Sequence, residues 1–117
     1  MKVKDYKELR IWIKGIELVK RVYDLTDEFP NNEMYTLMSQ MRRAAVSIPS
    51  NIAEGFVRKN MKEYRQFLHV SLGFCAELET QINISKERNY ITQTEFDLLI
   101  KELLHEMKMI LNLIKCL

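Results

Sequence analysis

Turn formers are scarce in this chain, which has 3 glycines and 2 prolines in 117 residues. That shortage excludes a β-sandwich or barrel, which needs frequent tight turns, and a Gly- or Pro-rich disordered segment. The 2 cysteines, Cys75 and Cys116, lie far apart without CxxC spacing, so neither a disulfide framework nor a zinc site is expected. Long apolar runs are missing too. The uncharged stretches at 44–53 and 66–76 fall well short of the roughly 20 residues that a membrane span requires. The first twenty residues interleave Lys2, Lys4, Asp5, Lys7, Glu8, Arg10, Lys14 and Glu17 with apolar positions, unlike the unbroken core of a signal peptide, and a cytoplasmic location is expected. Excess charge is likewise absent. With 18 basic and 16 acidic residues the formal charge is +2, so nucleic-acid binding cannot rest on bulk electrostatics and must come from local patterning.

What is present is helical. Apolar residues make up 47% and charged residues 29%, and the length suits one domain over residues 1–117. In residues 7–29, Leu9, Trp12, Ile16, Val19 and Tyr23 recur at steps of three and four, which predicts the core stripe of a first helix. A second row, Ile11, Leu18, Val22, Leu25 and Phe29, lies on the far side, so burying one row leaves the other bare. Pro30 ends this pattern. The second helix carries Met34, Leu37, Met38, Met41, Ala45, Ile48 and Ile52 on one face, with a kink expected near Pro49 and a stop at Gly55. Ser47, Ser50 and Asn51 flank the proline as partners for freed backbone groups.

Two segments have the form of capping boxes, from Asn60 to Glu63 and from Thr92 to Glu95, and they open the third and fourth helices. The third buries Tyr64, Phe67, Leu68, Phe74, Cys75, Leu78 and Ile82. The fourth buries Phe96, Leu99, Leu103, Met107, Ile110, Ile114 and Leu117, and has a thinner row of Leu98, Met109, Leu113 and Cys116 facing away. Four such helices with short connections predict an all-α, antiparallel four-helix bundle. The extra rows, Ile11, Leu18, Val22, Leu25 and Phe29 with Leu98, Met109 and Leu113, are then the expected oligomer interface, the alternative being an imperfect bundle geometry that buries both rows within one chain.

In the second helix the run Phe29-Pro30, Glu33, Leu37, Gln40, Arg42-Arg43-Ala44-Ala45, Ser47-Ile48-Pro49 and Asn51-Ile52-Ala53-Glu54-Gly55 resembles the signature of four-helix-bundle proteins encoded in intervening sequences of bacterial 23S ribosomal RNA genes. The likeness continues through Phe67-Leu68 and Glu77-Leu78-Glu79 and takes in residues 9–13. It implies a bacterial bundle that assembles as a ring-like homo-oligomer, pentameric in members of the family, and no enzymatic activity. It also implies kinship with the accessory protein of diversity-generating retroelements, a basic pentamer associated with nucleic acid and reverse transcriptase. That protein is strongly basic, whereas this chain is nearly balanced.

Charge is unevenly placed. Residues 1–65 carry 13 basic and 9 acidic side chains, and the remainder 5 and 7. Arg58, Lys59, Lys62, Arg65 and His69 gather near the start of the third helix, with Lys62, Arg65 and His69 on the face opposite its core row, and Arg42 and Arg43 add to them from the second, Arg43 pointing away from its core row. These seven are the candidate nucleic-acid contacts, with RNA as the expected polyanion. Charged outer faces are also the ordinary state of a helix, and no aromatic platform interleaves the strip.

Other polar groups have structural readings. Gln40, Ser47 and Asn51 surround the proline rather than a reaction centre. Glu102 and His105 have the Glu-x-x-His spacing of di-iron bundles, but a second such pair is missing and both lie off the core face. Arg65 and His69 resemble, with a shorter spacer, the Arg/His pair of helical-bundle toxin ribonucleases, which leaves a small endoribonuclease as the enzymatic alternative. A structural or protein-binding oligomer without nucleic acid is the other. No cofactor, metal, membrane contact or small-molecule substrate is expected.

Overall fold

The computed structural model describes residues 3–117, so the first two residues of the expected domain lie outside the described residues. A 3-10 turn at Tyr6–Glu8 leads into α1 (Arg10–Thr26), and a second at Asn31–Glu33 precedes α2 (Leu37–Val57). Then follow α3 (Met61–Glu87) and α4 (Gln93–Cys116), with no strand among the described residues. Each helix packs on its neighbour in sequence and α1 closes on α4, which makes a bundle of 45 × 25 × 19 Å. The connections at 58–60 and 88–92 are too short for anything but an antiparallel return.

Local chemistry sets the helix ends. At α4 the capping box is complete: the Glu95 amide donates to Thr92 Oγ1 at 3.1 Å and the Thr92 amide donates to Glu95 Oε1 at 2.8 Å. At α3 only half of it forms. The Glu63 amide donates to Asn60 Oδ1 at 3.1 Å, but the Glu63 carboxylate accepts from Arg58 at 3.4 Å instead of returning to the cap. Lys59 and Asn89, at φ 56° and 62°, make the left-handed turns that follow α2 and α3.

Gly55 is not the expected stop. It lies inside α2, where an added Cβ would sit 2.7 Å from Phe67 Cβ, so its role is to let α2 and α3 approach. Pro49 is buried, and α2 runs on through it. Around it, Ser47 Oγ donates to the Arg43 carbonyl and Asn51 Nδ2 to the Ser47 carbonyl, each at 2.8 Å. From α3, Ser71 Oγ donates to the Ile48 carbonyl at 2.9 Å.

The two faces of α1 are exchanged relative to the sequence expectation. Ile11, Leu18, Val22 and Phe29, expected at an oligomer interface, are buried in the core of the single chain. Leu9, Trp12, Ile16 and Val19, expected in the core, are only partly covered, and Tyr23 is exposed. The reason is that Gly15 and Thr26 lie on the same stripe as Ile11, Leu18 and Val22 and are buried with them. Neither adds weight to an apolar tally, yet the glycine admits Pro49 and the threonine hydroxyl finds backbone and arginine partners. Leu25, Met109 and Leu113, also expected at the interface, are partly buried, while Leu98 is exposed.

Leu18 has no exposed surface. Replacing it with Glu buries an unpaired carboxylate and opens a packing defect, so Leu18→Glu should lose the helical circular-dichroism signal instead of yielding a folded, dissociated chain. Leu18→Ala should cost about 2–5 kcal/mol in urea denaturation.

Candidate functional site

The seven candidate cations divide into two groups once their partners are known. Arg42 is a structural clamp. Its Nε donates to Thr26 Oγ1 at 2.8 Å, its terminal nitrogen donates to Asp27 Oδ1 at 2.7 Å and to the Tyr23 carbonyl at 3.3 Å, and the guanidinium lies 4.4 Å from the Tyr23 ring centroid. One side chain of α2 thereby satisfies the carbonyl end of α1. Arg58 pairs with Glu54 at 2.9 Å and Glu63 at 3.4 Å and lies over the Phe67 ring. Arg65 donates to the Leu117 carbonyl, tying α3 to the end of α4. Arg42, Arg58 and Arg65 thus have partners within the chain, Arg42 and Arg65 being partly buried and Arg58 exposed, which the count of seven candidate cations did not include.

Arg43, Lys59, Lys62 and His69 are exposed and make no ion pair among the described residues. Lys59 stands at the α2–α3 turn and Lys62 in the first turn of α3, so these two form one corner of the bundle. Arg43 is sixteen residues upstream of Lys59, about 24 Å along a helix axis. The expected strip is therefore two separate positive points.

Much of the signature around α2 performs assembly. The Glu33 carboxylate accepts from Thr36, from Tyr90 Oη at 2.6 Å and from the Leu37 amide at 3.4 Å, linking the start of α2 to the α3–α4 connection. Those hydrogen bonds, from Thr36 first and then Tyr90, hold its carboxyl below the usual range. Phe29 packs on Tyr90 with ring centroids 5.1 Å apart. Pro49 fits Gly15 and Gly55 fits Phe67. The sequence profile of the 23S rRNA-intervening sequence protein family matches residues 7–112. The chain belongs to this family.

The 23S rRNA-intervening sequence assignment agrees with the fold of a solved structure, that of a protein of unknown function from the S23 ribosomal protein family of Bacteroides thetaiotaomicron. It is 19% identical, with a TM-score of 0.82 over 90% of this chain and 95% of that one. At that identity the likeness concerns the fold alone. No curated protein matches the sequence.

Two features of this family member escape sequence reasoning. Glu106 lies on the core face of α4 between Leu103 and Ile110, fully buried, and neither carboxylate oxygen has a hydrogen-bond partner among the described residues. It continues the three-four rhythm, which was the available signal, but its charge argued against burial. Desolvation pushes its carboxyl up to about 8, with Lys14 pulling down and Glu17 pushing up. Lys14 itself pairs with Glu102, which is also within 4.0 Å of Arg21, so Glu102 is a partner of α1. No cluster of three or more His, Cys, Asp and Glu side chains among the described residues is arranged to hold a metal. The second feature is Tyr35, 89% exposed just before α2.

Glu106 makes stability depend on pH. Its folded-state value lies above the ordinary 4.5, so the unfolded chain releases the proton first. The stabilisation is whole below about pH 4.5 and is lost as pH rises towards about 8. Glu106→Gln keeps the shape and cannot ionise. Its melting temperature should exceed that of the parent at about pH 8, and the advantage should shrink at about pH 5 when both are followed by thermal denaturation.

Proposed function

We propose that this chain is a non-enzymatic homo-oligomer that binds RNA through exposed, unpaired cations at the α2–α3 corner. The observation that carries the reading is the contrast between Lys59 and Lys62, which face solvent without an anionic partner, and the committed Arg42, Arg58 and Arg65. The family's name points to 23S ribosomal RNA, so structured fragments of that RNA are the natural probe. A non-enzymatic role is favoured over a ribonuclease because Arg65 is held by the Leu117 carbonyl rather than by His69. Burial, followed by the charges of Glu106 and Glu79, pushes the Cys75 thiol up to about 12, which leaves it no nucleophile near neutrality.

Self-association is supported by apolar residues left uncovered. Leu104 and Leu111, two turns apart on α4, are 47% and 43% exposed, and Ile13 and Leu98 are similarly bare. A ring of copies, pentameric as the resemblance implies, covers such surface and repeats the lysine corner around an axis.

Affinity for a structured ribosomal RNA fragment should fall linearly with the logarithm of salt, and Lys59→Ala with Lys62→Ala should flatten that slope by about 1.4–1.8. Because phosphate contacts position without specifying, the loss should be similar on unrelated RNAs. Arg42→Ala should lower stability and leave the slope unchanged. Absence of binding at about 50 mM salt removes the RNA reading and leaves a structural or protein-binding oligomer.

Light scattering should show an assembly at micromolar concentration that Leu104→Glu with Leu111→Glu converts to monomer while the helical signal persists. A monomeric parent protein defeats the oligomer reading.

A further inference from the structure

Tyr35, Gln40, Arg43 and Gln81 make no side-chain hydrogen bond or ion pair among the described residues. Two surface grooves meet at Arg43. One, of about 410 Å³, is lined by Tyr35 and by Tyr23, Met38 and both arginines of the Arg42-Arg43 pair, and contains no acidic side chain. The other, of about 510 Å³ between α2 and α3, is lined by Gln40, Gln81, Phe74 and Glu77. Arg42 is neutralised by Asp27, so the charge available where the grooves join is that of Arg43.

The chemistry on the two sides of Arg43 differs. On one side a tyrosine ring that is 89% exposed offers a flat π-face, the feature on which an unpaired base stacks. On the other, Gln81 is 6% exposed and its Oε1 is buried without a hydrogen-bond partner, a polar atom lacking the donor that such atoms ordinarily find. The exposed amide of Gln40 brings a donor and an acceptor that match the edges of a base that is not in a duplex, and the buried Gln81 Oε1 is an acceptor still without a donor in the same groove. Glu77 can only accept when ionised, so it suits a base amino group and repels a phosphate, which places the phosphate at Arg43.

We propose that the outer face of α2 around Arg43 is a single-stranded nucleic-acid site, with a phosphate on Arg43, one base stacked on Tyr35 and a neighbouring base at the amides of Gln40 and Gln81. This inference rests on the RNA-binding reading and adds to it the strandedness of the ligand and the contacts to its bases. A second copy of this chain, the competing occupant, would have to bring acidic groups to Arg43, and nothing about a tyrosine and two glutamines calls for them.

The test is fluorescence anisotropy of the full chain with labelled RNA 12-mers, single-stranded and as duplex, in a salt series. Tyr35→Ala should weaken single-strand binding by about 5- to 150-fold, which is the effect of losing one base–aromatic stack. It should leave the salt slope and duplex binding as they were. Tyr35→Phe, which keeps the ring, should retain affinity, and Arg43→Ala should reduce the single-strand slope by about 0.7. Single-strand affinity unchanged in Tyr35→Ala overturns the proposal; if Lys59→Ala with Lys62→Ala still weakens binding, the broader RNA reading survives it. No binding by the parent protein to either form overturns both. A Tyr35→Ala chain that binds RNA normally but changes its mass in light scattering assigns this face to contacts between copies and likewise overturns the proposal.

Discussion

Three helices of this bundle cross where there is little room for a methyl group. A Cβ on Gly15 of α1 would stand 3.1 Å from Pro49 Cβ of α2 and 3.3 Å from Glu106 Oε2 of α4, closer than carbon and oxygen normally pack. Much else in the fold follows from that crossing. It fixes which face of α1 turns inward and gives a buried place to a proline inside a helix. It also encloses a carboxyl that holds its proton at neutral pH. A bundle with an alanine and an aliphatic residue at the two outer positions could pack this layer without a polar atom. A buried, unpartnered glutamate is a cost the fold carries, and Lys14 beside it, already paired with Glu102, only partly offsets it.

The signature centred on α2 takes on a different meaning in this setting. Arg42, Glu33, Pro49 and Gly55 each join α2 to another element: the end of α1, the α3–α4 connection, Gly15 and Phe67 in turn. A motif of this kind specifies how one helix is gripped by the other three, and it is informative about the family because it is informative about the fold. Arg43 and Gln40 stand apart from that work on the solvent side of the same helix.

Much of the architecture was legible in the residues. The number of helices, their order, the Thr92–Glu95 box and the start of α3 at Asn60 follow from local patterns that need no partner. Faces were harder. On α1 the two rows hold five apolar residues each, and the inward stripe also includes a glycine and a threonine that such a count passes over, so the count did not decide between the faces, and four members of the expected oligomer row, Ile11, Leu18, Val22 and Phe29, proved to be core. The candidate site suffered from the same blindness to partners. Nothing near Arg42 in the sequence announces that Thr26 and Asp27, on the preceding helix and its cap, will take its hydrogen bonds. The Leu117 carbonyl that holds Arg65 is more distant still. Charge can be counted from a sequence, but charge available to a ligand depends on tertiary pairing.

That distinction bears on how a nearly neutral chain could hold a polyanion. Each copy offers Lys59 and Lys62 at one corner and Arg43 about 24 Å away, and a handful of phosphate contacts gives only weak, salt-sensitive affinity. The proposed assembly would change the arithmetic, because a strand bound at one copy would meet the next at an effective concentration set by the spacing of the subunits. Small clusters repeated around a ring can then do what a strongly basic monomer does with bulk charge, without the self-repulsion that such charge brings to folding. On this view the arginines spent on holding helices together are no loss to binding. In the proposed ring they would build the surface that repeats, and the repetition would supply the affinity.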